Sequence, residues 1–212
     1  MTVIEKFEVT RQVVALTFDD GPDPTYTPQL LDLLANESIP ATFFALGLAI
    51  DKETTPIVCA ALDAGHDVGN HTFHHRSFDD PSLDDASAMN EIARTHYLLE
   101  QITDRPPDLI RPPYGHGPQR VDRLAAELGY RATVNFEFSH GDWDQPPARA
   151  IVDSALRTVT AGSIVLLHDG CAPEQRGGSR RETVEAVRLL IPELRERGFA
   201  FATVSTLLDE TV

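Results

Sequence analysis

Cysteine is scarce in this sequence of 212 residues, with Cys59 and Cys171 as the only two. Two cysteines form neither a disulfide framework nor a cysteine-based metal cluster, so we expect two free thiols. Positive charge is scarce as well: 18 Lys and Arg stand against 33 Asp and Glu, which gives a formal net charge of -15. This charge argues against nucleic acid and anionic membrane surfaces as partners, and it is compatible with a neutral or cationic substrate.

Long hydrophobic runs are absent too. No apolar run approaches the roughly 20 residues that a membrane-spanning helix needs. Residues 1–9 mix charged with apolar side chains and lack the hydrophobic segment of a signal peptide. We therefore expect a cytoplasmic protein, or a secreted one if a leader has been removed. The sequence also lacks repeats and low-complexity linkers, which predicts a single domain over residues 1–212.

Short apolar runs alternate with helical segments along the whole chain. The predicted strands cover residues 13–18, 41–46, 67–70, 109–111, 130–136, 163–167 and 199–204. The predicted helices cover residues 27–36, 55–64, 119–128, 148–159 and 182–197, with a further long helix that starts at Ser82 and buries Ala86, Met89, Ile92 and Ala93. About seven β/α units in a chain shorter than the roughly 250 residues of an eight-unit barrel predict a distorted (β/α)7 TIM-like barrel. Chemistry in such folds lies at the C-terminal ends of the strands.

Two adjacent carboxylates, Asp19 and Asp20, follow the first predicted strand and precede Gly21-Pro22. In a regular strand they would point to opposite faces, so the turn must redirect at least one of them. Side by side they would repel each other and raise one pKa, unless a cation lies between them. The alternative is an ordinary Asp-Gly turn with solvated carboxylates.

A histidine pair, His71 and His75, follows the third predicted strand. On a helical turn, two histidines four residues apart lie on one face and can bind one metal ion. With Asp20 or Asp19 as a third ligand they form a catalytic type of site, which zinc and other divalent ions occupy. Surface or polar-core histidines are the alternative, and we expect His74 to be structural.

Three further segments also follow predicted strands. Arg111–Gly115 forms a rigid loop whose arginine can hold a carboxylate. Asp142-Trp143 includes the only tryptophan, and Leu166–His168 places a histidine where it can act as a general acid.

These five segments, in this order, resemble those of the polysaccharide deacetylases, the NodB-homology family of metal-dependent carbohydrate esterases (carbohydrate esterase family 4). The resemblance extends from Val13 to about Leu207. It implies the removal of N-acetyl groups from an N-acetylated sugar, oligosaccharide or glycan, of the chitooligosaccharide or peptidoglycan type, or from a small N-acetylated metabolite. It also implies one divalent metal ion, with zinc as the first expectation and cobalt, nickel or manganese as alternatives.

The resemblance also implies residue roles. Asp19 would be the general base, oriented by Arg111, and His168 would be the general acid, tuned by Asp142. The metal ligands would be Asp20, His71 and His75.

The remaining implied residues bind substrate. The backbone N–H of Tyr114, in the loop with Pro113, would hold the oxyanion, and Trp143 and Leu166 would line the acetyl pocket. One departure is Ser139, which stands where the family usually has a further Asp.

Two alternatives to deacetylation remain open. One is an amidohydrolase of the same fold that opens a cyclic ureide or imide. The other is a non-catalytic glycan-binding domain, although a binding domain has no need for the catalytic residues. We also predict that residues 170–179 form a mobile lip, and that soluble acetylated substrates are preferred to insoluble polymers.

Overall fold

The computed structural model describes residues 2–211, in which strands and helices alternate as predicted. The strands are β1 (Thr2–Ile4), β2 (Val13–Asp19), β3 (Thr42–Ala45), β4 (Asp67–Asn70), β5 (Leu109–Ile110), β6 (Ala132–Val134), β7 (Ile164–His168) and β8 (Ala200–Phe201). The helices are α1 (Tyr26–Glu37), α2 (Thr55–Asp63), α3 (Asp85–Thr103), α4 (Pro118–Ala126), α5 (Ala148–Thr158), α6 (Arg181–Glu196) and α7 (Val204–Thr211). Every predicted strand and helix is present, with small shifts at the ends. None of these helices combines the length and apolarity that crossing a membrane requires.

All strand pairs in the sheet are parallel, in the order β1-β6-β5-β4-β3-β2-β7. Strand β8 pairs with the first two residues of β2, beside β7. An isolated bridge from Lys6, after β1, to Ser163, before β7, connects the two edges of the sheet, and a second bridge joins Ser139, after β6, to Leu166 of β7. The sheet thus curls into the predicted distorted (β/α)7 barrel.

Strand β2 is buried on both faces, as strands of parallel sheets are. Val14, Leu16 and Phe18 pack in the cluster that contains the apolar sides of α1, α5 and α6. Val13 and Ala15 belong to a second cluster, with residues of β3, β5, β6 and β7. Because side chains alternate along a strand, Asp19 shares the face of Val13 and Ala15 and points into the barrel.

The chain ends differently from the prediction. The last predicted strand, 199–204, is reduced to β8, and α7 begins at Val204. The Thr203 hydroxyl accepts a hydrogen bond from the Thr206 N–H at 3.1 Å, which is the interaction of a helix N-cap and ends the extended segment. Val204 and Leu207 then join the inner cluster of apolar side chains. Helix α7 and the short strand β1 were both missed from the sequence.

Helix α3 begins at Asp85 rather than at Ser82, because Asp84 is its N-cap and accepts a hydrogen bond from the Ser87 N–H at 2.8 Å. The prediction that Ala86 lies on the buried side is wrong, because Ala86 is exposed. The buried side instead includes the polar Glu91 next to Ile92. An apolar pattern cannot identify a buried glutamate. The buried face predicted from the sequence is therefore rotated slightly about the helix axis relative to the observed one.

Candidate active site and metal centre

A pocket of about 290 Å³ opens among the C-terminal ends of the strands. Eight of the predicted site residues line it: Asp19, Asp20, His71, His75, Tyr114, Trp143, Leu166 and His168. Arg111 and Asp142 lie behind the lining and contact it. The structure therefore gathers almost the whole predicted set at one place.

Asp20 leaves the strand in an unusual backbone conformation, with φ of 72°. This turn redirects Asp20 away from the alternation of β2, so both carboxylates reach the same pocket. The turn packs tightly against the end of β7: a Cβ on Gly21 would lie 2.0 Å from Asp169 Oδ2, and one on Gly170 would lie 2.2 Å from Asp20 O. Only glycine fits at either position.

The ligand atoms of Asp20, His71 and His75 all lie within 4.8 Å of one another, and all three residues are buried. Asp20 Oδ1 is 3.5 Å from His71 Nε2 and 3.2 Å from His75 Nε2, and it has no hydrogen-bond partner. His71 Nδ1 donates a hydrogen bond to Arg111 O at 2.9 Å, which leaves the Nε2 lone pair free. An unpaired buried carboxylate oxygen between two imidazoles fits a divalent cation.

The pKa shifts of the same three residues also favour a bound cation. Burial raises the pKa of Asp20, and the nearby carboxylate of Asp19 adds to this effect. Burial lowers the pKa of both His71 and His75, which favours the neutral form that binds metals. A cation among these three groups would offset the cost of burying the Asp20 charge.

The Asp19 carboxylate is held from behind by Arg111, which is fully buried. Arg111 Nη1 donates to Asp19 Oδ1 at 2.8 Å and to Thr17 Oγ1 at 2.8 Å. The other guanidinium face lies against the Phe44 ring, with Cζ 4.2 Å from its centroid. Arg111 is therefore rigid, and it directs Asp19 toward the pocket.

His168 forms a second buried pair, with Asp142. His168 Nδ1 donates to Asp142 Oδ1 at 2.8 Å, while Thr183 Oγ1 donates to Asp142 Oδ2 at 3.0 Å. Burial opposes protonation of His168, but the Asp142 carboxylate and its hydrogen bond outweigh burial and raise the His168 pKa to about 9. The pairing with Asp142 thus favours the protonated form of His168, and its Nε2 remains available to the pocket.

The loop after β5 places Tyr114 at the pocket, with φ of 61°. Its turn is closed by hydrogen bonds from Gly115 N to Pro112 O and from His116 N to Pro113 O, so the Tyr114 N–H stays outside this pairing. Pro113 is buried and is not among the residues that line the pocket, so its role in substrate binding stays a prediction. The turn directs Tyr114, rather than Pro113, toward the pocket.

Trp143 and Leu166 supply apolar surface to the pocket, with Trp143 44% exposed and Leu166 buried. Sequence reasoning missed Phe136, Glu174 and Gln175, which line the pocket as well. Glu174 belongs to the predicted lip, and its Oε1 accepts a hydrogen bond from Tyr114 Oη at 2.6 Å and lies 3.3 Å from His75 Nδ1. No sequence signal marked Glu174, because loop residues carry no periodicity.

Several known proteins are similar to this chain in sequence and in fold. A family model described as polysaccharide deacetylase matches residues 6–133. The peptidoglycan-N-acetylglucosamine deacetylase of Bacillus cereus is 38% identical over 198 residues, which cover 93% of this chain and 88% of that protein. A chitooligosaccharide deacetylase of Sinorhizobium fredii is 39% identical over 194 residues, which cover 88% of this chain and 87% of that protein.

A solved structure is also similar. The crystal structure of a peptidoglycan N-acetylglucosamine deacetylase in complex with a naphthalenyl N-oxidanyl-benzamide matches with a TM-score of 0.86 at 29% identity, and it covers 97% of this chain and 92% of that one. The family model spans more than half of the chain, and both named relatives exceed 30% identity over most of their length. This chain belongs to the polysaccharide deacetylase family.

Proposed function

We propose that this chain is a metal-dependent hydrolase that removes N-acetyl groups from an N-acetylated sugar, oligosaccharide or glycan. The observation that carries the proposal is one pocket that combines a three-residue candidate metal site with a carboxylate, Asp19, and an imidazole, His168, that is paired with Asp142. The deacetylases named above are similar over nearly the whole chain, which supports the same reaction here.

We propose zinc as the metal, held by Asp20, His71 and His75. Two imidazoles and one carboxylate, with room for water, are a common zinc set, and cobalt, nickel or manganese would fit the same donors. When bound, the ion supplies Lewis-acid polarisation of the acetyl carbonyl and lowers the pKa of water.

The residues of the chain would then move the protons. Asp19, fixed by Arg111, accepts a proton from the attacking water as the water oxygen bonds to the acetyl carbon. The Tyr114 N–H stabilises the oxygen on which negative charge develops. His168 donates its proton to the leaving nitrogen as the C–N bond breaks, which yields acetate and a free amine.

The size of the pocket supports a small reacting unit. About 290 Å³ lies just below the usual range for ligand pockets, and Trp143 and Leu166 offer an apolar wall for the acetyl methyl. We propose soluble substrates, such as short N-acetylglucosamine oligomers or a small N-acetylated metabolite.

Mass spectrometry of acetate release from N-acetylglucosamine oligomers tests this proposal, before and after chelation and after reloading with zinc, cobalt, nickel or manganese. We expect activity to be lost with the metal and regained on reloading. Full activity in metal-free protein would overturn the metal role. Hydrolysis of ureides or imides without acetate release would favour the other amidohydrolase reaction. Faster release from insoluble chitin or peptidoglycan than from soluble oligomers would refute the proposed substrate size.

A further inference from the structure

The loop that carries both histidine ligands is short and conformationally demanding. Thr72 and His75 have φ of 67° and 61°, which non-glycine residues rarely adopt. Such conformations persist only where neighbouring groups hold the backbone.

The start of this loop is held by Asn70, which is fully buried at the end of β4. Its amide donates to Ile92 O at 3.0 Å and to the Tyr130 hydroxyl at 2.6 Å, and its Oδ1 accepts from Thr72 N at 2.6 Å. These bonds fix the backbone beside His71.

The end of the loop is held by Glu91, a residue of α3 that is only 4% exposed. Glu91 Oε2 accepts the His74 backbone N–H at 2.7 Å, and Oε1 accepts His74 Nδ1 at 2.7 Å. Arg94, one turn further along α3, lies 3.5 Å from the centroid of the Phe73 ring and completes the support.

We propose that Glu91 is a positioning residue of the metal centre: by holding His74 at two atoms, it fixes the loop in which His71 and His75 converge on Asp20. This inference rests on the proposed metal-dependent function. It also explains His74, which contributes no ligand to the site.

A role in packing alone does not account for Glu91. A buried carboxylate is costly unless its oxygens are paired, and an apolar side chain would fill the same space at lower cost. Both Glu91 oxygens bind to the residue directly before the ligand His75. Without these two hydrogen bonds, nothing from Glu91 would hold the backbone at His74, directly before the strained His75.

The test is the dissociation constant for zinc and cobalt, measured by competition with a chromophoric chelator, together with the visible spectrum of the cobalt protein. Groups that are hydrogen-bonded directly to metal ligands contribute about 10- to 100-fold to metal affinity. Because Glu91 acts through the residue next to a ligand, we expect Glu91→Met to lose about 10-fold in affinity, the lower end of this range, and to change the cobalt spectrum. Glu91→Asp should lose affinity as well, because its shorter carboxylate reaches only one of the two His74 atoms.

Two variants complete the series. Glu91→Gln keeps the acceptor for the His74 backbone N–H, but its amide can donate to His74 Nδ1 only if the imidazole proton moves to Nε2, which lies 3.4 Å from Arg94 Nη1. We therefore expect Glu91→Gln to lose affinity, but less than Glu91→Met. Asn90→Ala, at an exposed position of the same helix, is the matched control and should bind metal normally.

The outcomes separate the two proposals. If the wild type binds metal and both Glu91→Met and Glu91→Asp match its affinity and spectrum, the role of Glu91 is refuted. If Glu91→Met does not fold, Glu91→Asp decides. A wild type that binds no metal overturns the metal centre itself, and the inference with it.

Discussion

Four active-site residues have backbone conformations that L-amino acids rarely adopt. Asp20, Thr72, His75 and Tyr114 have φ between 61° and 72°. Each such residue costs on the order of 1–3 kcal/mol, which the surrounding fold must offset. The strain is concentrated where ligands and the oxyanion donor must be aimed, so we interpret it as part of the preorganisation of the site.

The paired His168 and Asp142 predict the pH dependence of activity. A general acid must be protonated, so kcat/KM should fall as pH rises through the His168 pKa, which Asp142 raises to about 9. Asp142→Asn removes the raising charge, and the alkaline limb should move toward lower pH. Asp144→Asn, at an exposed position two residues away, should leave the limb in place. An unmoved limb in Asp142→Asn would contradict the assignment of His168.

The two adjacent aspartates should differ in function. Asp19 is paired with Arg111, whereas Asp20 belongs to the candidate ligand set. Asp19→Asn should therefore lower kcat by at least about 10²-fold and retain one bound metal ion. Asp20→Asn should lose the metal. Metal analysis beside kinetics checks both, and near-normal turnover in Asp19→Asn would exclude it as the base.

The types and spacing of these residues could be predicted from the sequence, but their contacts could not. The sequence predicted that the turn after β2 redirects at least one of the two carboxylates. In the structure Asp20 is redirected, with φ of 72°. Glu91 and Glu174 gave no signal, because one lies among apolar positions of a helix and the other lies in a loop. Their roles depend on which segments meet in space, which local pattern does not encode.

At the scale of elements, strongly patterned segments were predicted well. Strand β4 matches its prediction at both ends, because Gly65 and the loop histidines bound it clearly. Apart from the start and the buried face of α3, the errors lie at the ends of the chain, in β1 and α7. Three-residue strands carry too few positions for periodicity, and the apolar start of α7 continued the pattern of the preceding strand.

Residues 170–179 were predicted to form a mobile lip, and in the structure the next residue, Arg180, binds this segment at Gly170 and Gln175. This fully buried guanidinium donates to Gly170 O at 2.6 Å, to Trp143 O at 3.1 Å and to Gln175 Oε1 at 2.6 Å. Arg180 thus connects residues 170–179 to the turn that contains Trp143.

Replacing Arg180 should therefore affect both stability and substrate binding. Arg180→Met leaves three acceptors without their donor, and the buried one, Gly170 O, costs about 1–3 kcal/mol. We expect a lower free energy of unfolding by urea and a higher KM. Arg181→Met, at an exposed neighbouring position, is the control. Equal KM values for Arg180→Met and the wild type would show that the hydrogen bonds of Arg180 do not shape the pocket.

At the scale of the whole molecule, the excess of negative charge extends into the interior of the protein. Besides Asp19 and Asp20, the buried Asp169 lies at the end of β7, where burial and the neighbouring carboxylates raise its pKa to about 7. The bonds from Gly21 N and the Thr27 hydroxyl hold it in place. Carboxylates gathered in a low-dielectric interior repel each other, and a divalent cation would relieve this repulsion.

Metal binding should therefore stabilise the fold. An ion that binds only the native state adds about 2.7 kcal/mol at a free concentration 100 times its Kd. For a chain of this size each kcal/mol corresponds to a Tm shift of roughly 2–4 °C, so chelation should lower Tm by about 5–11 °C. Calorimetry of the protein with and without chelator measures the shift. The double variant His71→Ala, His75→Ala should show no dependence of Tm on either chelator or added zinc, because it keeps only one of the three ligands. A chelator effect of equal size in the double variant would place the stabilising ion elsewhere in the molecule.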